Sequence, residues 1–226
     1  HERFRRQRQM CIRDRDRIDI LKSYADYSWS LDPNHYVIFE HTGNGDEEKE
    51  WADYRINEGK GVMLWGKMIE EYGQLSMGYA ENSSLNRIRS ESRGFAGKRL
   101  IGYAESHDEE RLMRKNIQYG NSSNSSHDVK NLNVSLSRMS AIGALSLLVP
   151  GPKMIWHFGD LGMETSLFTC EDGSIEQNDD CKLSTKPQPQ WSDNWLSIAQ
   201  RKKIYDDWSR MIELKKNNVV FRGNSS

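Results

Sequence analysis

The chain has 226 residues, 29% of them charged, with a formal net charge of −1. That balance gives no reason to propose nucleic acid or an anionic membrane surface as a partner. Hydrophobic content is only 36%, but seven Trp and nine Tyr supply large burial area per residue. Such rings also suit the flat faces of sugars, although core packing is the plainer explanation.

Residues 1–17 are mostly Arg, Gln, Glu and Asp, with no apolar period. They read as a basic arm or as non-native sequence, since Met10–Arg15 (MCIRDR) looks like adapter read-through. The fold argument therefore takes residues 18–218 as the domain and 219–226 as a truncated tail. Ile18, Leu21, Tyr24 and Trp29 form a helical stripe that stops at Asp32-Pro33. Tyr36–Phe39 reads as a strand ending in Glu40-His41, followed by a charged short helix or lid over 46–54. A second strand is expected over 61–66, then a helix-compatible stretch from Lys67 to Tyr72. Residues 81–98 read as loop. Leu100–Ala104 is a third strand, ending in Glu105-Ser-His-Asp108, and 121–126 is a surface loop.

Leu132, Leu136, Met139, Ile142 and Leu147 mark a long buried helix. Pro152–Phe158 is a fourth strand candidate, and Ile198, Ile204, Trp208, Met211 and Leu214 give a last amphipathic helix. Strands alternating with helices predict an α/β fold with a parallel sheet. Polar residues after each strand make half of a (β/α)8 TIM barrel the expected architecture, with an open doubly wound sheet as the alternative. No Gly-rich phosphate loop follows any strand. No apolar run approaches the ~20 residues that cross a bilayer.

Cys170 and Cys181 bracket the polar loop CEDGSIEQNDDC, which lacks the ligands of a zinc site. A loop-closing disulfide is the better reading over two free thiols, and it would imply an oxidising compartment. Cys11 has no evident partner.

Two strand ends place a carboxylate beside a histidine: Glu40-His41 and His107-Asp108. Glycoside hydrolysis needs one carboxylic acid to protonate the leaving oxygen and others to stabilise the oxocarbenium-like centre. Acids at strand ends also cap the following helix, so the pairs alone leave both readings open.

Three local sequences resemble the α-amylase family, glycoside hydrolase family 13. Tyr103–Arg111 (YAESHDEER) is similar to its seventh-strand region, Val37–His41 to its fifth-strand region, and Pro150–Met163 to its eighth-strand motif. The ESHDEERLM and PGPKMIW stretches resemble α-amylase-like proteins of Bacteroidetes type. The resemblance implies strands five to eight of the catalytic barrel. It makes Glu40 the general acid/base, which would need a raised pKa, and Asp108 the carboxylate that binds sugar hydroxyls and stabilises the transition state. His107 would contact the sugar. His41 and Trp65 would line neighbouring subsites or simply pack, and Arg111 would pair with Glu109 or Glu110 or orient the loop. Ser106 stands where many members carry Asn.

The family's nucleophile has no counterpart: Asp14, Asp16 and Asp19 do not follow an apolar strand. The resemblance therefore implies a fragment of a retaining α-glucan hydrolase, inactive alone. A glucan branching or transglycosylating enzyme, or a non-catalytic α-glucan-binding protein, are the alternatives. The expected partner is an α-glucan, with no nucleic acid and no membrane span. No cofactor is identified, and the full-length parent leaves room for calcium. The parent would be extracellular, periplasmic or on the cell surface of a bacterium.

Overall fold

A computed structural model describes residues 2–41, 43–176 and 179–223, with side chains from Arg15 onward. Eight α-helices are present among these residues: α1 (Glu2–Leu31), α2 (Gly45–Asp53), α3 (Ile69–Met77), α4 (Leu112–Tyr119), α5 (Leu132–Leu147), α6 (Pro189–Ser192), α7 (Ala199–Asn217) and α8 (Val219–Arg222). Three short strands, β1 (Ile38–Phe39), β2 (Met63–Gly66) and β3 (Leu100–Gly102), form one sheet in the order β1-β2-β3. β1 and β2 run parallel, with Ile38 opposite Met63 and Phe39 opposite Leu64. Contacts divide the chain into two units, residues 1–65 with 89–101 and residues 66–88 with 102–226.

In the first unit, α1 turns Ile18, Ala25 and Trp29 onto a core completed by Val37, Trp51, Val62, Leu64, Phe95 and Leu100. The helix runs from Glu2, well ahead of Ile18, and stops just before Asp32-Pro33. Trp51 is fully buried, and its indole Nε1 donates to the Ile18 carbonyl at 3.3 Å. Asn44 caps α2 by accepting from the Asp46 N–H, and Asp46, Glu47 and Glu48 put negative charge on its first turn.

In the second unit, α3, α4, α5 and α7 bury Tyr72, Leu112, Met113, Leu136, Met139, Ile142, Ile204 and Trp208. α5 and α7 approach closely because Gly143 has no side chain: a Cβ there would lie 2.2 Å from Trp208 Nε1. That Nε1 donates to the Met139 carbonyl at 2.9 Å. Arg201 on α7 is also buried. It donates to the carbonyls of Leu161 and Gly162 at 3.0 and 2.7 Å and stacks over Trp195, which fixes the loop ahead of the disulfide.

The expected half-barrel of strands five to eight does not form. Helix makes up about half of the chain, and the sheet has only three strands. The fourth strand candidate contributes a single parallel bridge, Lys153 with Gly102. Pro152 lacks a donor for the ladder, and Phe158 takes a left-handed conformation (φ 59°) that turns the chain into the tight turn Gly159–Leu161. Strands of two to four residues offer few ladder hydrogen bonds, so helix packing carries most of the core. No helix among the described residues is long and apolar enough to cross a membrane.

Candidate active-site cleft

The second unit builds its polar site on the segment that leaves β3. Glu105 is buried there, and its Oε1 accepts from the Leu112 backbone N–H at 2.8 Å, capping α4. Arg111 Nη1 stands 3.5 Å from Glu105 Oε2. Burial pushes the Glu105 carboxyl above its ordinary value, against the attraction of Arg111. Gly159 makes room for this carboxylate, since a Cβ there would come within 2.7 Å of Oε2.

Arg111 reaches further, with Nη2 at 2.9 Å from His157 Nε2 and 3.6 Å from Met163 Sδ. Its guanidinium makes no ion pair with Glu109 or Glu110; the Glu110 carboxylate accepts instead from the Arg111 backbone N–H at 2.9 Å. Lys67 takes Glu109 at 3.1 Å, and Glu110 accepts from Ser166 Oγ and the Leu167 N–H.

A cleft of about 180 Å³ opens beside this network, lined by Ser106, His107, Arg111, Trp156, His157 and Lys182 among others. His107 and Trp156 have ring centroids 6.0 Å apart. Asp108 is exposed at the rim: its carboxylate lies 3.6 Å from His107 Nε2 and 3.6 Å from Lys182 Nζ. Cys170 and Cys181 are joined by a disulfide, and the residues just after Cys181 form the cleft's outer wall. Lys186 Nζ ties both arms of that loop by donating to the carbonyls of Thr169 and Cys181.

The first unit holds the other candidates. Glu40 is exposed immediately after β1. His41 lies edge-on to Trp51 at 4.8 Å, with its ring nitrogens 3.4 and 3.6 Å from Glu47 and Glu48; its contacts are those of a packed, charge-clasped side chain. Trp65 is half-buried on β2, on the face opposite Leu64. Asp16 and Asp19 lie exposed on α1, and Arg15 pairs with Asp19 at 3.6 Å.

Glu105, Arg111, Trp156, His157 and Lys182 were not assigned to a site from the sequence, apart from the expected pairing of Arg111. One signal was available for Glu105, the first acid after an apolar run and seven residues before a helix start. Its burial was not legible, because burial depends on Gly159 and α4 closing over it. No family model matches the chain, and no curated protein matches it by sequence.

Proposed function

We propose that the chain is an α-glucan-recognising part of a glycoside hydrolase of α-amylase type. Glu40 is its proton donor, and Asp108 the carboxylate that binds sugar hydroxyls and stabilises positive charge at the reacting carbon. The observation that supports this most is that Trp156 and His107 line one cleft and that Asp108 lies 3.6 Å from His107 and from Lys182 beside it. An aromatic face, an imidazole and a carboxylate together match a pyranose ring, which presents an apolar face and a rim of hydroxyls. In the parent enzyme Glu40 would protonate the departing oxygen and then take a proton from the attacking water.

A non-catalytic glucan-binding role is the second reading, favoured by one observation. The candidate nucleophiles Asp16 and Asp19 lie on α1 and not at a strand end. Both readings require binding, so the test is titration of maltohexaose by calorimetry, with turnover of soluble starch followed in parallel. Saturable binding is expected, weakened about tenfold by Trp156→Ala or Asp108→Asn, a loss of ~1.4 kcal/mol each. The chain by itself is expected to show no turnover. Absence of binding up to about 10 mM maltohexaose would remove both readings.

A further inference from the structure

His157 lies within the Pro150–Met163 stretch but has no role assigned to it there, yet its hydrogen bonding is strongly determined. Its Nε2 faces Arg111 Nη2 at 2.9 Å. A guanidinium has several N–H donors, no acceptor, and does not lose its charge in proteins. The nitrogen facing it is therefore the acceptor, and the single proton of the neutral ring sits on Nδ1. Arg111 is held in place, being buried and engaged by Glu105 at 3.5 Å and Met163 Sδ at 3.6 Å. Glu105 is anchored in turn by the Leu112 N–H.

Partial burial and the neighbouring Arg111 charge both lower His157 from the ordinary histidine value, which favours the neutral ring. His157 lines the cleft with Trp156, Ser106 and Lys182. No hydrogen bond is formed by its Nδ1 among the described residues.

We propose that His157 is a ligand-binding residue whose Nδ1–H donates to a hydroxyl or ring oxygen of the sugar lying against Trp156, with Arg111 and Glu105 as positioning residues that fix the tautomer. The assignment rests on the glucan reading above. The logic is that of a metal-bound histidine, where the partner on one ring nitrogen dictates what the other can do.

Two substitutions separate the two edges of the ring. In His157→Asn an amide N–H₂ takes the Nδ1 position and the acceptor toward Arg111 is lost. In His157→Gln an amide oxygen reaches the Nε2 position and the Nδ1 donor is lost. Maltohexaose affinity is measured by calorimetry, thermal midpoint by scanning calorimetry, and the tautomer by imidazole ¹⁵N NMR of the unsubstituted chain. The expected result is an Nδ1–H tautomer titrating below 6.5. His157→Asn should bind within about threefold of the parent at a lower midpoint, and His157→Gln should keep its midpoint and bind about tenfold more weakly. An Nε2–H tautomer, or equal affinity losses in the two variants while the parent binds, overturns the role of His157 alone. If the parent chain binds no maltohexaose, the glucan reading falls and this assignment falls with it.

Discussion

In the first unit, charged side chains satisfy one another. Arg15 and Lys22 both reach Glu50, Arg55 divides its donors between Asp26 and Glu58, and Glu48 sits between His41 and Arg93. In the second unit a comparable chain, Glu105 to Arg111 to His157, runs from a buried helix cap to a cleft and ends on an N–H that no described residue accepts. In the first arrangement the named charges are taken up by one another, so they serve the fold. The second is open at one end, which makes it the better candidate for recognising something else. Number of ion pairs does not separate the two regions; the fate of the last donor does.

The frame of the second unit should depend on apolar packing far more than on that polar chain. Trp208→Ala would empty the contact between α5 and α7 and leave the Met139 carbonyl without its indole donor. A loss of about 3–5 kcal/mol in urea unfolding is expected. A loss below ~1 kcal/mol would mean that Gly143 and Trp208 do not define the core as described.

Glu105 sharpens the contrast next. Glu105→Ala removes the cap of α4 and the acceptor for a buried guanidinium, at a cost of about 2–4 kcal/mol. Glu105→Gln behaves differently because it mimics the protonated acid. Burial raises the folded-state pKa above the ordinary 4.5. The native state therefore holds the proton more tightly than the unfolded one, and stability present below pH 4.5 is lost as pH rises through the folded pKa. The Gln variant lacks that loss. It should lose less stability than the parent between pH 4 and pH 7, while binding maltohexaose more weakly because Arg111 is held less firmly. Parallel pH-stability curves for the two proteins would show that Glu105 is not buried as an acid.

How far the sequence disclosed these regions differs in the same way. The stripe from Ile18 to Trp29 located the end of α1, and Leu132 to Leu147 located α5, because a 3.6-residue period survives in the sequence whatever the helix packs against. Strand lengths were overestimated: Leu100–Ala104 pairs only as far as Gly102, and Pro152–Phe158 pairs at one position. An apolar run shows that a segment is buried but not whether a neighbour lies alongside to complete a ladder, and four such runs suggested a barrel where three short strands pair. α4 escaped notice because only Leu112, Met113 and Asn116 of its eight residues are buried. At and beside the cleft, His107 and Asp108 are the residues that local motifs single out. His157 is not among them, since its role depends on an arginine 46 positions away.

The disulfide tests whether the open end of the polar chain has a fixed surrounding. Reducing Cys170–Cys181, whose separation is 11 residues, should cost about 2–3 kcal/mol by the chain-entropy model. It should also weaken maltohexaose binding, because Lys182 and Ser184 in the cleft wall follow Cys181 directly. Lowered stability with unchanged affinity would show that the wall is held by the Lys186 contacts alone.

The smallest effect belongs to the closed network. Glu50 accepts from Lys22 and Arg15 on the surface of the first unit. The Lys22 hydrogen bond is the main cause holding its carboxyl below 4.5; burial opposes it, and the attraction of Lys22 and Arg15 adds to the lowering. A depressed acid contributes stability above its unfolded pKa and loses it as pH falls through the folded value, opposite in sign to Glu105. The side chain is 34% exposed, so water and salt screen most of the interaction and Glu50→Gln should cost only about 0.2–1 kcal/mol at low salt. Raising the salt to about 1 M shortens the screening length to ~3 Å and should shrink that difference. The Glu105→Ala penalty should persist under the same conditions, because its pair is shielded from ions by protein. Equal salt sensitivity in the two variants would erase the distinction between a closed surface network and an open buried one.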